Sequence, residues 1–185
     1  MHRVVTEPGN LDRERRVESV RQSPAEVIVV SSADTELAAL ARIWGPRLGG
    51  RLRLMNAGPL QHPDAVEHYA DHVLTFARIA LFRLHGGKGY FPHLLEEIQH
   101  IKSHGASVRT LVLPGTDQWD PELMPYCDYA EPLVQQMFAY FREGGIENFQ
   151  LAVEVIERLL QNDPGPFPEA QPMPTFGWYE PWAKR

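Results

Sequence analysis

Four short apolar runs, separated by stretches with helical spacing, constrain this chain more than any other feature. They are Glu26-Val-Ile-Val-Val30, Arg51-Leu-Arg-Leu54, Ile79-Ala-Leu-Phe-Arg-Leu84 and Val108-Arg-Thr-Leu-Val-Leu113. Strands separated by helices are joined by crossovers rather than hairpins, so they run parallel. The alternation predicts an α/β fold: a doubly wound, mostly parallel four-stranded sheet with flanking helices and a C-terminal helical pair. Ile79-Ala-Leu-Phe82 is apolar on both faces, as a central strand must be, whereas Arg51-Leu-Arg-Leu54 alternates and suits an edge.

The helices follow from local signals. Ser31-Ser-Ala-Asp-Thr-Glu36 reads as a helix start, with Ser32 as N-cap and Asp34 and Glu36 where the dipole favours anions. That helix runs through Leu37, Leu40, Ala41 and Trp44 and stops at Gly45-Pro46. A second begins at Pro63 or Asp64, with Val66, Tyr69, Ala70, Val73 and Leu74 on one face. A third covers residues 92–103 and closes at Gly105. Residues 132–142 and 146–160 form the amphipathic pair, broken by Glu143-Gly-Gly145. Residues 1–23 are charged and aperiodic, and read as a disordered or frayed lead-in. Residues 24–161 form the α/β head domain with its C-terminal helices. Residues 162–185, with six prolines, read as a linker or wrapping tail.

A chain of 185 residues supports one substantial domain. Its net charge of −6 argues against non-specific nucleic-acid binding. No apolar run approaches the roughly 20 residues that span a bilayer, so no membrane partner is expected. The single cysteine, Cys127, rules out an intramolecular disulfide and a thiolate metal cluster, and reads as a core residue. It suits a reducing compartment, and the N-terminus lacks the apolar core of a secretory signal, so a cytoplasmic location is expected.

In open α/β sheets ligands bind beyond the carboxyl ends of the strands. Four polar, Gly- or Pro-bearing loops leave that rim: residues 31–34, 56–62, 83–90 and 114–120. Candidate ligand-binding residues are Ser31, Ser32, Asp34, His62, Arg83, Lys88 and Tyr90, and His85 is the candidate metal ligand. Gly86-Gly-Lys-Gly89 fails the spacing of a phosphate loop, because Phe82 stands where a glycine is needed and Gly89 where Ser or Thr is needed. Its glycines serve either a sharp turn or anion binding by Lys88. His62 faces a ligand or bonds backbone at a helix start. His68 with His72, and His100 with His104, have the i, i+4 spacing that can place two imidazoles on one metal. The alternative is solvated side chains, the second pair near a helix C-terminus where the dipole favours a cation. Asp117-Gln-Trp-Asp-Pro-Glu122 offers an acid/base pair or a capped helix start.

Several stretches together resemble the N-terminal region of the aerobic cobaltochelatase large-subunit family, related to the magnesium chelatase large subunit. They are Val29-Val-Ser-Ser-Ala-Asp-Thr-Glu-Leu-Ala-Ala-Leu40, Leu60-Gln-His-Pro63, Arg83-Leu-x-Gly-Gly-Lys-x-Tyr90, Leu113-Pro-Gly115, Asp120-Pro-Glu-Leu123 and Glu143-Gly-Gly-x-Glu-Asn148. Gly177-Trp-Tyr-x-Pro181 resembles the start of the family's next segment. The resemblance implies a head domain that takes part in ATP-dependent insertion of cobalt, as substrate metal, into a corrin-type tetrapyrrole during cobalamin biosynthesis. It also implies that ATP and Mg are bound by AAA+ partner subunits and not by this chain. On that view Lys88 and Arg83 pair with edge carboxylates, and Tyr90, Phe91 or Trp119 cover a ring face. His62 or His85 meets the metal or accepts a pyrrole proton. The alternatives are a stand-alone tetrapyrrole-binding or subunit-assembly module without chelatase activity, and a small α/β enzyme using the rim carboxylates.

Overall fold

The strands are β1 (Val27–Ser31), β2 (Leu52–Asn56), β3 (Ile79–Leu84) and β4 (Arg109–Pro114), all parallel in the order β2-β1-β3-β4. The structure, a computed structural model, describes residues 22–163 and 165–173. Residues 1–21 of the lead-in and the Gly177-Trp-Tyr-x-Pro181 stretch lie outside the described residues. Strand order follows side-chain character: β1 and β3 are buried along their whole length and take the centre, while β2, with Arg53 and Leu54 half-buried, takes an edge.

Successive side chains of a strand point to opposite faces, so each central strand feeds two cores. Ile28 and Val30 of β1 and Ala80 and Phe82 of β3 pack under α2 (Pro63–His72) and α4 (Pro92–Ser103). Val27, Val29, Ile79 and Leu81 face α1 (Asp34–Leu48), α5 (Glu131–Glu143) and α6 (Gly145–Leu160). A fully buried Val, Leu or Ile contributes about 1.5–3 kcal/mol, so these two layers hold the sheet. Trp44 of α1 donates through Nε1 to the Phe149 carbonyl of α6 at 2.8 Å, which fixes the first helix against the last.

Three local expectations are corrected. Helix α1 does not stop at Gly45-Pro46 but continues to Leu48. Gly45 has no Cβ to meet the proline ring, and Leu48 is buried and anchors the last turn. Ser32 is not the N-cap; Ala33 takes that position, and Ser31 Oγ accepts from the Ala33 N–H at 3.1 Å. The glycine-rich stretch is not an open loop: Gly87–Tyr90 forms a single helical turn, α3, entered through Gly86 at φ 88° and Gly87 at φ 57°. Only glycine adopts such angles cheaply.

The segment after α6 runs back over the helical layer. Asn148 is buried and holds Gln171 at both ends: its Oδ1 accepts from the Gln171 N–H at 2.8 Å, and its Nδ2 donates to the Gln171 carbonyl at 2.8 Å. Arg158 lies over the Phe167 ring at 4.7 Å, and Tyr140 donates to the Pro168 carbonyl. On the other flank, Gln22 accepts from Tyr69 and donates to Leu54 of β2.

Candidate ligand site at the carboxyl rim of the sheet

The carboxyl ends of β1 and β3 bring Ser31 opposite Arg83. Both are buried, and Glu36 joins them from the first turn of α1. Ser31 Oγ donates to Glu36 Oε1 at 2.7 Å, and Arg83 Nε donates to Glu36 Oε2 at 3.3 Å. The Arg83 guanidinium also donates to the Pro114 carbonyl at the end of β4 and sits 5.2 Å from the Phe141 ring centre. Burial lowers its pKa and the Glu36 carboxylate opposes that effect. The guanidinium therefore ties three elements together, Nε donating to Glu36 and Nη1 to Pro114. With Ser31, Ser32, Glu36 and His85, Arg83 also lines a small cavity of about 70 Å³ at the rim.

Beside this cluster lies a cavity of about 410 Å³ whose walls include Ser32, Asn56, Gln61, His85, Tyr90 and Phe91. Ser32 Oγ donates to the Arg83 carbonyl at 3.4 Å and accepts from the His85 N–H at 3.2 Å, which draws the β1 and β3 loops together. Asp34 accepts from Asn56 Nδ2 at 2.7 Å, and Asn56 Oδ1 accepts from the Gly58 N–H at 2.7 Å. The β1 and β2 loops are thus cross-linked and Asp34 is engaged. Tyr90 is 61 % exposed and meets Phe91 edge-on at 5.7 Å between ring centres. Lys88 is exposed on α3 and makes no hydrogen bond or ion pair among the described residues. Neutral hydrogen-bonding groups, an aromatic face and a free ammonium can receive a flat ligand with a polar or carboxylate edge.

The predicted residues are divided by the fold. Ser32, His85 and Tyr90 line the cavity and Lys88 stands on the helical turn that contributes Tyr90. Ser31 and Arg83 lie behind it, in the ion-pair cluster. His62 precedes α2, where its carbonyl accepts from the Ala65 and Val66 N–H groups, and Gln61 takes the cavity position instead. His85 is exposed, and no group of three His, Cys, Asp or Glu side chains is placed to hold a metal among the described residues. Trp119 packs on Phe138 at 5.5 Å, within the helical layer. Asp120 caps a short 3-10 helix, Pro121–Tyr126, by accepting from the Glu122 N–H at 3.0 Å. Cys127 is packed against both cores, and burial pushes its thiol pKa up.

Two site features are not among the candidate residues named from the sequence. Glu36 is 47 residues from Arg83, so spacing gives no hint of their contact. Gly115 lets the β4 loop pass against the β3 loop: a Cβ there would lie 2.6 Å from the His85 nitrogen and 2.9 Å from the Leu84 carbonyl carbon.

No family model matches the chain. Over 188 aligned residues, 99% of the chain, it is 34% identical to the aerobic cobaltochelatase subunit CobN of Sinorhizobium sp. Over 150 residues, 80% of the chain, it is 34% identical to the subunit of the same name from Pseudomonas aeruginosa. Over that length the chain is homologous to a segment of CobN. It spans 14% and 12% of the length of those two CobN chains. The fold is shared with the catalytic subunit of cobaltochelatase from Mycobacterium tuberculosis, at a TM-score of 0.60 and 20% identity over 86% of this chain and 12% of that one. The stretches that carry the family resemblance in the sequence fall at structural junctions. Residues 29–40 join β1 to α1, residues 83–90 carry β3 into α3, and residues 143–148 turn α5 into α6.

Proposed function

We propose that this chain is the N-terminal head domain of a cobaltochelatase-type large subunit and takes part in ATP-dependent insertion of cobalt into a corrin precursor in cobalamin biosynthesis. The observation that carries the proposal is 34% identity to CobN across 99% of the chain. ATP and Mg are handled by AAA+ partner subunits, cobalt is the substrate metal, and the isolated chain is not itself a catalyst. The rim cavity is the part that receives the corrin edge. Tyr90 covers ring surface, Lys88 pairs with an edge carboxylate, and the hydroxyl and amide groups of Ser32, Asn56 and Gln61 bond neighbouring amides or carboxylates.

The test is an absorbance titration of the chain with a carboxylated corrin precursor, with a porphyrin as comparison. Saturable binding with a shifted spectrum, weakened in Lys88→Ala/Tyr90→Ala, is the expected result. In the full-length large subunit, assayed for cobalt insertion with its partner subunits and ATP, the same pair of changes raises KM for the corrin and leaves kcat close to its starting value. A folded chain that binds no corrin, together with a loss of partner-subunit binding on removing this domain, would make it an assembly module instead.

A further inference from the structure

Two histidine pairs remain outside the site described above. His68 and His72 lie on α2 with their rings stacked at 4.1 Å between centres and 28° between planes. His100 and His104, at the end of α4, repeat the arrangement at 4.2 Å and 38°. In each pair the second ring makes the same contact with the backbone. His72 Nδ1 is 2.9 Å from the His68 carbonyl, and His104 Nδ1 is 2.9 Å from the His100 carbonyl. A carbonyl only accepts, so Nδ1 carries the proton in both rings and the Nε2 lone pair is left free. A back-bond of this kind fixes the tautomer that a metal-ligating histidine needs.

The ring spacing suits a shared ion. Two imidazole nitrogens at the usual metal distance in a tetrahedral site stand about 3.3 Å apart, and rings 4.1 and 4.2 Å apart are near enough to reach that separation. Because stacking holds their in-plane lone pairs close to parallel, a side-chain rotation that splays the rings accompanies binding. Both pairs sit at helix C-terminal ends, where the dipole favours a cation. Helices α2 and α4 each return from the rim to the start of the next strand, so both pairs lie at the amino end of the sheet, opposite the rim cavity.

We propose that His68/His72 and His100/His104 are two bidentate capture sites for divalent transition-metal ions. Imidazole donors suit Co²⁺, Ni²⁺, Cu²⁺ and Zn²⁺ rather than the hard ions Mg²⁺ and Ca²⁺. No third side chain completes either pair among the described residues, so water fills the remaining positions and the ion exchanges readily. A closed structural site needs four protein ligands; a two-ligand site suits transient capture.

Calorimetric titration of the 185-residue chain with Co²⁺, in the absence of any corrin, tests the proposal. Two ions of similar affinity bind per chain, Ni²⁺ binds more tightly than Co²⁺, and Mg²⁺ gives no comparable binding. His68→Gln/His72→Gln and His100→Gln/His104→Gln each remove one ion. His72→Gln alone weakens its own pair at least tenfold and leaves the other pair unchanged. The His100, His104 and His72 rings are exposed and His68 half-buried, so circular dichroism should report an unchanged fold. Wild-type stoichiometry in the double variants, equal binding of Mg²⁺, or an unchanged affinity in His72→Gln would each overturn the proposal. Because no corrin is present, failure here leaves the corrin titration at the rim unaffected.

Discussion

Replacing Glu36 by alanine strips the buried Arg83 guanidinium of its counter-charge. The side chains are 6% and 12% exposed, so water cannot readily take the place of the carboxylate. Removing one partner of a buried pair costs about 3–5 kcal/mol, most of it the penalty of the charge left behind. Ser31 Oγ also loses its acceptor. For a chain of this size a urea slope of about 2.5 kcal/mol per molar is reasonable, so the unfolding midpoint should fall by roughly 1.2–2 M. Equilibrium urea unfolding followed by tryptophan fluorescence measures it directly. Replacing both partners, Glu36→Leu with Arg83→Met, should recover most of the loss, because an apolar pair of similar volume removes both charges. About 1 kcal/mol should remain missing, since the Pro114 carbonyl then lacks its donor. A midpoint shift below about 0.4 M in Glu36→Ala would refute the reasoning, since it would give the pair no more weight than an exposed one.

Gly115→Ala should destabilise the fold by about 1–3 kcal/mol in the same assay, because the new methyl group would meet backbone atoms of Leu84 and His85 that cannot rotate away. Asn148→Ala should leave the fold intact but release the segment after α6, so that a glutamate-specific protease cuts at Glu169 at least tenfold faster, as followed by mass spectrometry. Tyr129→Phe should make stability less sensitive to alkali. Burial pushes the Tyr129 phenol up to about 12 and its hydroxyl has no hydrogen-bond partner among the described residues. An unfolded tyrosine ionises near 10, so its contribution is intact below that pH and is lost as pH rises toward about 12. Urea midpoints between pH 9 and 11.5 should therefore fall less steeply in the variant. A residual slope is expected because burial also raises the Tyr69 phenol.

The sheet could be read from the sequence because burial on two faces leaves a local mark. Val27 to Val30 and Ile79 to Phe82 contain no polar residue, and both became central strands. The alternating Arg51-Leu-Arg-Leu54 became an edge for the same reason. The end of α1 is not legible because a Gly-Pro pair normally stops a helix, while the packing of Leu48 into the core beneath α1, α5 and α6 is a long-range effect. The partner of Arg83 shows the same limit at the site. A cation at the carboxyl end of a central strand has the position of a ligand contact. Only the fold brings Glu36 to it across 47 residues. One signal was available: an arginine inside an otherwise apolar strand must be paired, and Glu36 heads the helix that follows the adjacent strand. The histidine pairs were legible because i, i+4 contacts are set by the helix itself.

With Arg83 paired to Glu36 and Asp34 engaged by Asn56, the exposed positive charge beside the larger rim cavity comes from Lys88. That division bears on what the cavity selects. A polyphosphate requires several converging N–H donors and cations, whereas a flat ring with scattered edge groups requires an aromatic surface, neutral amides and a cation within reach. Lys88 is exposed, so its ion pair is partly screened and should strengthen binding by only about 1 kcal/mol, roughly fivefold. Lys88→Ala should therefore weaken a corrin with free edge carboxylates about fivefold and leave unchanged one whose edge groups are all amides. Tyr90→Ala, which removes ring contact rather than charge, should weaken both ligands alike. Paired absorbance titrations of the two variants distinguish these effects. Equal losses for both ligands in Lys88→Ala would mean that the lysine shapes α3 and does not meet the ligand's charge.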